Sequence, residues 1–173
     1  MININKLENM VAEWLKPLPH LPANGRKWIA ENVWWITLIG VILSVIGALA
    51  MFGSIFAAMA WFGIYMGTYT NYVYTAPVYS GWAMFGYMIS MISMVITFIL
   101  MVMAVNPLKR LQKKGWMLLF YVLIIQAVVA VLSAVFTYSL FGFINGILVG
   151  AISVAISAYL LYEIRSYFVT AKK

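Results

Sequence analysis

Very few side chains in this sequence are equipped for bond-making chemistry. There is no cysteine, His20 is the single histidine, and the only carboxylates are Glu8, Glu13, Glu31 and Glu163. Hydrolysis or group transfer needs an acid, base, nucleophile or metal within reach of a substrate, and all of these candidates lie outside the long apolar runs. Glu31 and Glu163 stand near Lys27 and Arg165, where simple ion pairing accounts for them. His20, within 17-PLPHLP-22, reads as a loop residue and not as a metal ligand. There is no glycine-rich phosphate loop and no metal-ligand spacing. The sequence therefore predicts a protein that is not an enzyme and carries no cofactor.

Softer patterns remain. Met84, Met88, Met91 and Met94 recur at helical spacing and make a thioether stripe, and sulfur ligands can select Cu(I). Copper-uptake channels combine an MxxxM element with a GxxxG helix, and this chain resembles them in those two features alone. It departs in having four apolar runs, no Met- or His-rich outer tail, and a C-terminal end without Cys or His. Methionine also fills irregular packing gaps, which is the plainer reading. Gly142, Gly146 and Gly150 form two overlapping GxxxG units with Ser153, Ser157 and Ala158 beyond, a groove in which a second backbone can approach closely. Gly40, Ser44, Gly47 and Ala48 offer a partner surface in the first run. The groove predicts packing of the fourth run on the first or third, or homo-oligomerisation. Gln126 is the most polar side chain near mid-run and Asn145 lies nearer an end; both are candidate polar linings or interhelical hydrogen-bonding groups.

The elements that must position these residues follow from composition. The chain is 65% hydrophobic and 9% charged, with a mean hydropathy of +0.98. A chain of 173 residues cannot bury that apolar surplus in water, so lipid is its solvent. A helix crossing a hydrocarbon core of ~30 Å needs about 20 apolar residues. Four stretches qualify, at about 33–58, 81–105, 116–138 and 142–162, and none contains Asp, Glu, Lys, Arg or His. They lack the alternation of a membrane β-barrel. The expected fold is an all-α polytopic bundle of four transmembrane helices.

The eleven basic residues fall in three places. Lys6, Lys16, Arg26 and Lys27 precede the first span; Lys109, Arg110, Lys113 and Lys114 link the second and third; Arg165, Lys172 and Lys173 follow the fourth. The other two connections, about 63–80 and 139–141, carry no charge. The positive-inside rule then puts both termini and 109-KRLQKK-114 in the cytoplasm of a cell (inner) membrane. Such a cluster also attracts anionic lipid headgroups, which explains the net charge of +7 without nucleic acid. Trp34, Trp35, Trp116, Tyr162 and Tyr167 fall at the cytoplasmic ends, and Trp61, Trp82 and Tyr138 at the outer ends, as interfacial aromatics do.

Residues 1–28 read as a separate cytoplasmic segment. Ile4, Leu7, Met10, Val11, Trp14 and Leu15 recur at helical spacing among polar residues, which predicts an N-terminal amphipathic helix lying in the interface with Trp14 dipped into it; the alternative is packing on a partner protein. Pro17 and Pro19 stop it, and Asn24 is a plausible cap for the helix that enters the membrane. Residues 29–168 make the membrane domain and 169–173 a basic tail. The loop 65-YMGTYTNYVYTAPVYSGW-82 has no charge and many tyrosines, suited to an outer interface or a recognition surface.

The run 114-KGWMLLFY-121 and the ending 158-AYLLYEIRSYF-168 resemble segments of small, uncharacterised four-helix bacterial membrane proteins. The resemblance implies a bacterial inner membrane and a four-span fold; it implies no activity, ligand or catalytic residue. The function expected is structural: an interaction or accessory subunit acting through helix packing, as a homo-oligomer or in a larger membrane complex. The alternative is an oligomeric pore or carrier for a neutral or hydrophobic solute, and a cavity lined by Gln126 and Ser/Thr side chains would distinguish it.

Overall fold

The computed structural model of the chain describes residues 4–68, 81–135 and 140–169. They form α1 (Ile4–Leu15), α2 (Ala23–Thr68), α3 (Gly81–Lys109), α4 (Lys113–Val135), α5 (Leu140–Glu163) and the short α6 (Arg165–Val169), with no strand among the described residues. Helices α2 to α5 each contain a stretch long and apolar enough to cross a membrane. The protein is an all-α, multi-pass membrane protein built on a four-helix bundle.

Within the described residues the expected spans each fall on one of these helices (136–138 of the third lie outside them), and the departures have physical reasons. Asn24 does not cap α2: the helix begins at Ala23, and the Pro22 carbonyl accepts the first bond, from Arg26 N at 3.0 Å. Helix α2 is 46 residues long, about 69 Å at the rise of an α-helix, and so extends well beyond a hydrocarbon core of ~30 Å. Helix α3 passes through Pro107 and ends at Lys109, because a proline in the last turn withdraws a single donor.

The α3–α4 turn is closed by two backbone bonds, Gln112 N to Pro107 O and Leu111 N to Leu108 O, both 2.9 Å. This is a Schellman cap, with Leu111 at φ 51° in the position that usually takes glycine. The conformation costs a non-glycine residue about 1–2 kcal/mol, and the Leu111 side chain offsets this by packing against the core. Just beyond, a Cβ on Gly115 would lie 2.7 Å from Leu108 N and 2.9 Å from Pro107 C. The start of α4 therefore rests directly on the α3 backbone.

Helices pack mainly in chain order, α2 on α3, α3 on α4 and α4 on α5, and α4 is the most enclosed span. The core lies at one end of the bundle. It draws Ala30 and Val33 from the start of α2, Ala104 and Leu108 from the end of α3, Trp116 and Phe120 from the start of α4, and Leu161, Ile164 and Phe168 from the close of the chain. These are the helix ends that carry the basic residues, here termed the charged end. Elsewhere α2, α3 and α5 expose Ile, Leu and Val along their length, as helices solvated by lipid do. Helix α1 packs on α5 with Glu8 buried and Met10 and Trp14 outward.

Candidate functional site

The glycine face of α5 meets α4. A Cβ on Gly150 would lie 2.8 Å from the Ala130 Cβ, and one on Gly146 3.7 Å from the Ala134 Cβ. Gly142 lies in the first turn of α5. The partner surface expected on the first span faces elsewhere. Gly40 faces the Met101 Cε on α3 at 2.7 Å, while nothing lies within 4 Å of a Cβ on Gly47. The Ser44 hydroxyl donates within its own helix to Val41 O at 2.7 Å.

Just inside the Gly150 contact the three helices α3, α4 and α5 part and leave a cavity of about 390 Å³. Its polar groups are Ser93 and Thr97 from α3, Gln126 from α4 and Ser153 from α5, with Met94 among the apolar ones. The α3 hydroxyls are spent on their own helix: Ser93 donates to Ser90 O at 2.8 Å and Thr97 to Ser93 O at 2.9 Å. Each hydroxyl oxygen keeps its capacity to accept a bond. The Gln126 carboxamide has no hydrogen-bond partner among the described residues, and the residue is exposed. A primary amide brings two donors and one acceptor, and leaving them unmatched in an apolar medium is costly. The cavity therefore presents unfilled hydrogen-bonding capacity within the apolar stretch of α4. Asn145 is exposed on α5 and lines neither this cavity nor the one at the charged end. Of the methionine stripe, Met94 reaches the cavity, Met88 points outward, and the Met84 side chain lies outside the described residues.

At the charged end Lys109, Arg110, Lys113 and Lys114 are exposed, and the Lys109 ammonium stands 5.3 Å from the Trp34 ring centroid. The titratable residues pair in a way the sequence did not suggest. Lys27 and Glu31 do face each other at 3.9 Å across one helical turn. Glu163, though, pairs with His20 at 2.7 Å and accepts a bond from Leu21 N at 3.1 Å, while Arg165 pairs with Glu8 of α1. His20 thus sits in the connection between α1 and α2 as expected, with a carboxylate for partner. Among the described residues no group of His, Cys, Asp and Glu is arranged to hold a metal. Trp116 is a correction of another kind. It lies at the basic end of its helix, but it is fully buried and is no interfacial anchor. Its indole N–H donates to Leu161 O at 2.8 Å, it stacks on Phe120, and the Arg165 guanidinium lies 5.8 Å from its centroid.

Two residues that position these features carry weak sequence signals. Gly115 had one, a glycine directly after a basic turn. Glu8 had none, since a carboxylate on a short helix reads as solvated until its partner from the far end of the chain is in place. The tyrosine-rich loop falls largely in 69–80, outside the described residues. Comparison of the chain with protein-family models, with curated proteins and with solved structures gives no match.

Proposed function

We propose that this protein is a non-enzymatic membrane subunit that works by docking helices against its own. It would sit in a bacterial inner membrane with both termini cytoplasmic, and α1 would lie along the inner surface with Met10 and Trp14 toward the lipid. The observation that carries the reading is the Gln126 carboxamide, unpartnered within an apolar span and open to the side of the bundle. Amide side chains at such positions bond to neighbouring helices, for a gain of about 1 kcal/mol, and α4 has spent none of that capacity internally. The occupant is a helix of a second copy or of another membrane subunit. The exposed Lys109, Arg110, Lys113 and Lys114 would hold the orientation and attract anionic headgroups.

The test is purification in mild detergent with measurement of particle size and mass spectrometry of co-purifying proteins. An assembly that Gln126→Leu dissociates while the thermal melt holds supports the reading. Unchanged size and an unchanged set of co-purifying proteins would overturn it. The cavity itself favours a second reading, a carrier or oligomeric pore for a neutral solute: its volume of about 390 Å³ and mixed lining of hydroxyl, amide and thioether groups suit a small amphipathic molecule. A small molecule that co-purifies with the wild type and is lost in Gln126→Leu, with particle size constant, would favour that reading.

A further inference from the structure

A second cavity, of about 550 Å³, opens at the charged end between α1, the connection that follows it, the start of α2 and the close of α5. Three cations from separate parts of the chain line it: Lys16, Arg26 and Arg165. Two carboxylates are near. Glu163 stands in the wall, where it is engaged by His20 at 2.7 Å and by Leu21 N at 3.1 Å. Glu8 is buried and paired with Arg165. Counting Lys, Arg and Glu side chains, three cations face these two carboxylates, an excess of one positive charge.

Hydrogen-bonding geometry is more specific than the charge. The Arg26 and Arg165 side chains are each about one-third exposed, so their terminal N–H groups are the donors within reach of a ligand, while both Nε atoms and Glu8 Oε1 are closed off from solvent without a hydrogen-bond partner among the described residues. Arg26 Nε stands 3.8 Å from Glu163, beyond hydrogen-bond distance. Guanidinium forks match tetrahedral oxyanions and bind them in a bidentate manner. Trp14 on α1 and Trp28 on α2, each two positions in sequence from a lining cation, are both largely exposed, and tryptophan favours the membrane–water boundary. The basic residues of segment 109–114 carry more charge but line neither this cavity nor the Gln126 cavity.

We propose that the Lys16–Arg26–Arg165 cavity binds a phosphate group, presented by the headgroup of an anionic phospholipid. This does not depend on Gln126 or on the docking of another helix. Shape and donors set the site apart from the diffuse attraction of the basic segment.

The experiment uses the delipidated full chain in neutral detergent and reads binding by thermal shift and native mass spectrometry. The probes are phosphatidylglycerol, phosphatidylcholine and inorganic phosphate. Phosphatidylglycerol is expected to bind in preference to phosphatidylcholine. Lys16→Gln/Arg26→Gln should weaken that binding by about tenfold or more, the scale of a lost charged hydrogen bond. Lys113→Gln/Lys114→Gln removes equal charge from the exposed turn and should leave affinity within about twofold. The Glu8–Arg165 pair is untouched in both variants. Lys16→Gln alone, at a residue with no ion pair among the described residues, should show a smaller loss in the same direction and guards against misfolding of the double variant. Equal losses in the two double variants, or none in either, would overturn the site. Inorganic phosphate binding as tightly as phosphatidylglycerol, with the same dependence on Lys16 and Arg26, would overturn the lipid as its source.

Discussion

Trp116, at the charged end of α4, is fully enclosed and donates to Leu161 O; about four turns along the same helix, Ala130 meets Gly150 through a methyl group and bare backbone. The same pair of helices is thus joined in two ways. Near the charged end, Trp116 against Tyr162 and the Trp116–Leu161 hydrogen bond specify one arrangement, and the Glu8–Arg165 pair ties α1 to α6 beside them. Farther along, the contact depends on small volume, and α3 stands off far enough to leave the Gln126 cavity. The contrast follows from the solvent. Water is available at the charged end, so apolar side chains there gain from leaving it and polar groups can be carried in with partners. In hydrocarbon an apolar contact displaces only lipid, so close backbone approach decides the packing and an unpaired amide keeps its capacity for a neighbour.

The first way to break the comparison is at the ion pair. Arg165→Gln leaves the Glu8 carboxylate buried without its cation, which costs on the order of 3 kcal/mol for a pair of this kind, and also removes the cation above the Trp116 ring. Thermal denaturation in mild detergent should show a large drop in midpoint. Glu8→Gln/Arg165→Gln should recover part of it, because two neutral amides no longer strand a charge. A double variant that melts no higher than Arg165→Gln would show that the pair is not what anchors α1.

Gly115→Ala comes next. The added methyl would meet the α3 backbone at Leu108 N, 2.7 Å away, and Pro107 C, 2.9 Å away, and backbone cannot swing aside as a side chain can. The expected loss is toward the upper end of the ~1–3 kcal/mol typical of overpacking. A melt unchanged from wild type would mean that the turn at 110–112 gives more readily than its two closing bonds suggest.

Gly150→Ala and Gly146→Ala sharpen the contrast within the glycine face. At Gly150 the new methyl would stand 2.8 Å from the Ala130 Cβ, and at Gly146 3.7 Å from the Ala134 Cβ, which is ordinary contact. Gly150→Ala should cost about 1 kcal/mol and Gly146→Ala close to nothing. The same melts check both, and equal effects would remove the distinction between a tight and a loose register along α5.

The overall plan was legible because it rests on long-range averages. Four uninterrupted apolar runs fix the number of spans, and three clusters of basic residues group the helix ends. The packing was less legible. GxxxG identified the close-approach face of α5, but which neighbour it meets depends on chain order in space, and on α2 Gly40 faces Met101 while Gly47 has open surroundings among the described residues. The Glu8–Arg165 and His20–Glu163 pairs join residues more than 140 positions apart, and local spacing carries no trace of such contacts. Trp116 shows the same limit: tryptophan beside lysine at the end of an apolar run reads as an interfacial anchor, and only the neighbouring helices make it a core residue. Gln126 stood out by its polarity alone, whereas the cavity around it needed three helices to define.

The smallest effect tests the open side of the comparison. Among the described residues no atom of another helix lies within 4 Å of a Cβ placed on Gly47, and the residue is exposed in the middle of α2. Within a single chain, Gly47→Ala therefore removes backbone freedom from the unfolded state and adds no collision. It should raise stability by about 0.5–1 kcal/mol, the usual difference between glycine and alanine inside a helix. The sign of the shift is informative. A small rise in melting midpoint with particle size unchanged means that the α2 face meets lipid, and that any docking happens on the Gln126 side. A fall in midpoint together with a smaller particle would mean that another helix covers Gly47 in the assembled protein, because only a close neighbour turns an added methyl into a clash. Helix docking would then use the first span as well, and its small residues Gly47 and Ala48 would belong to a subunit contact.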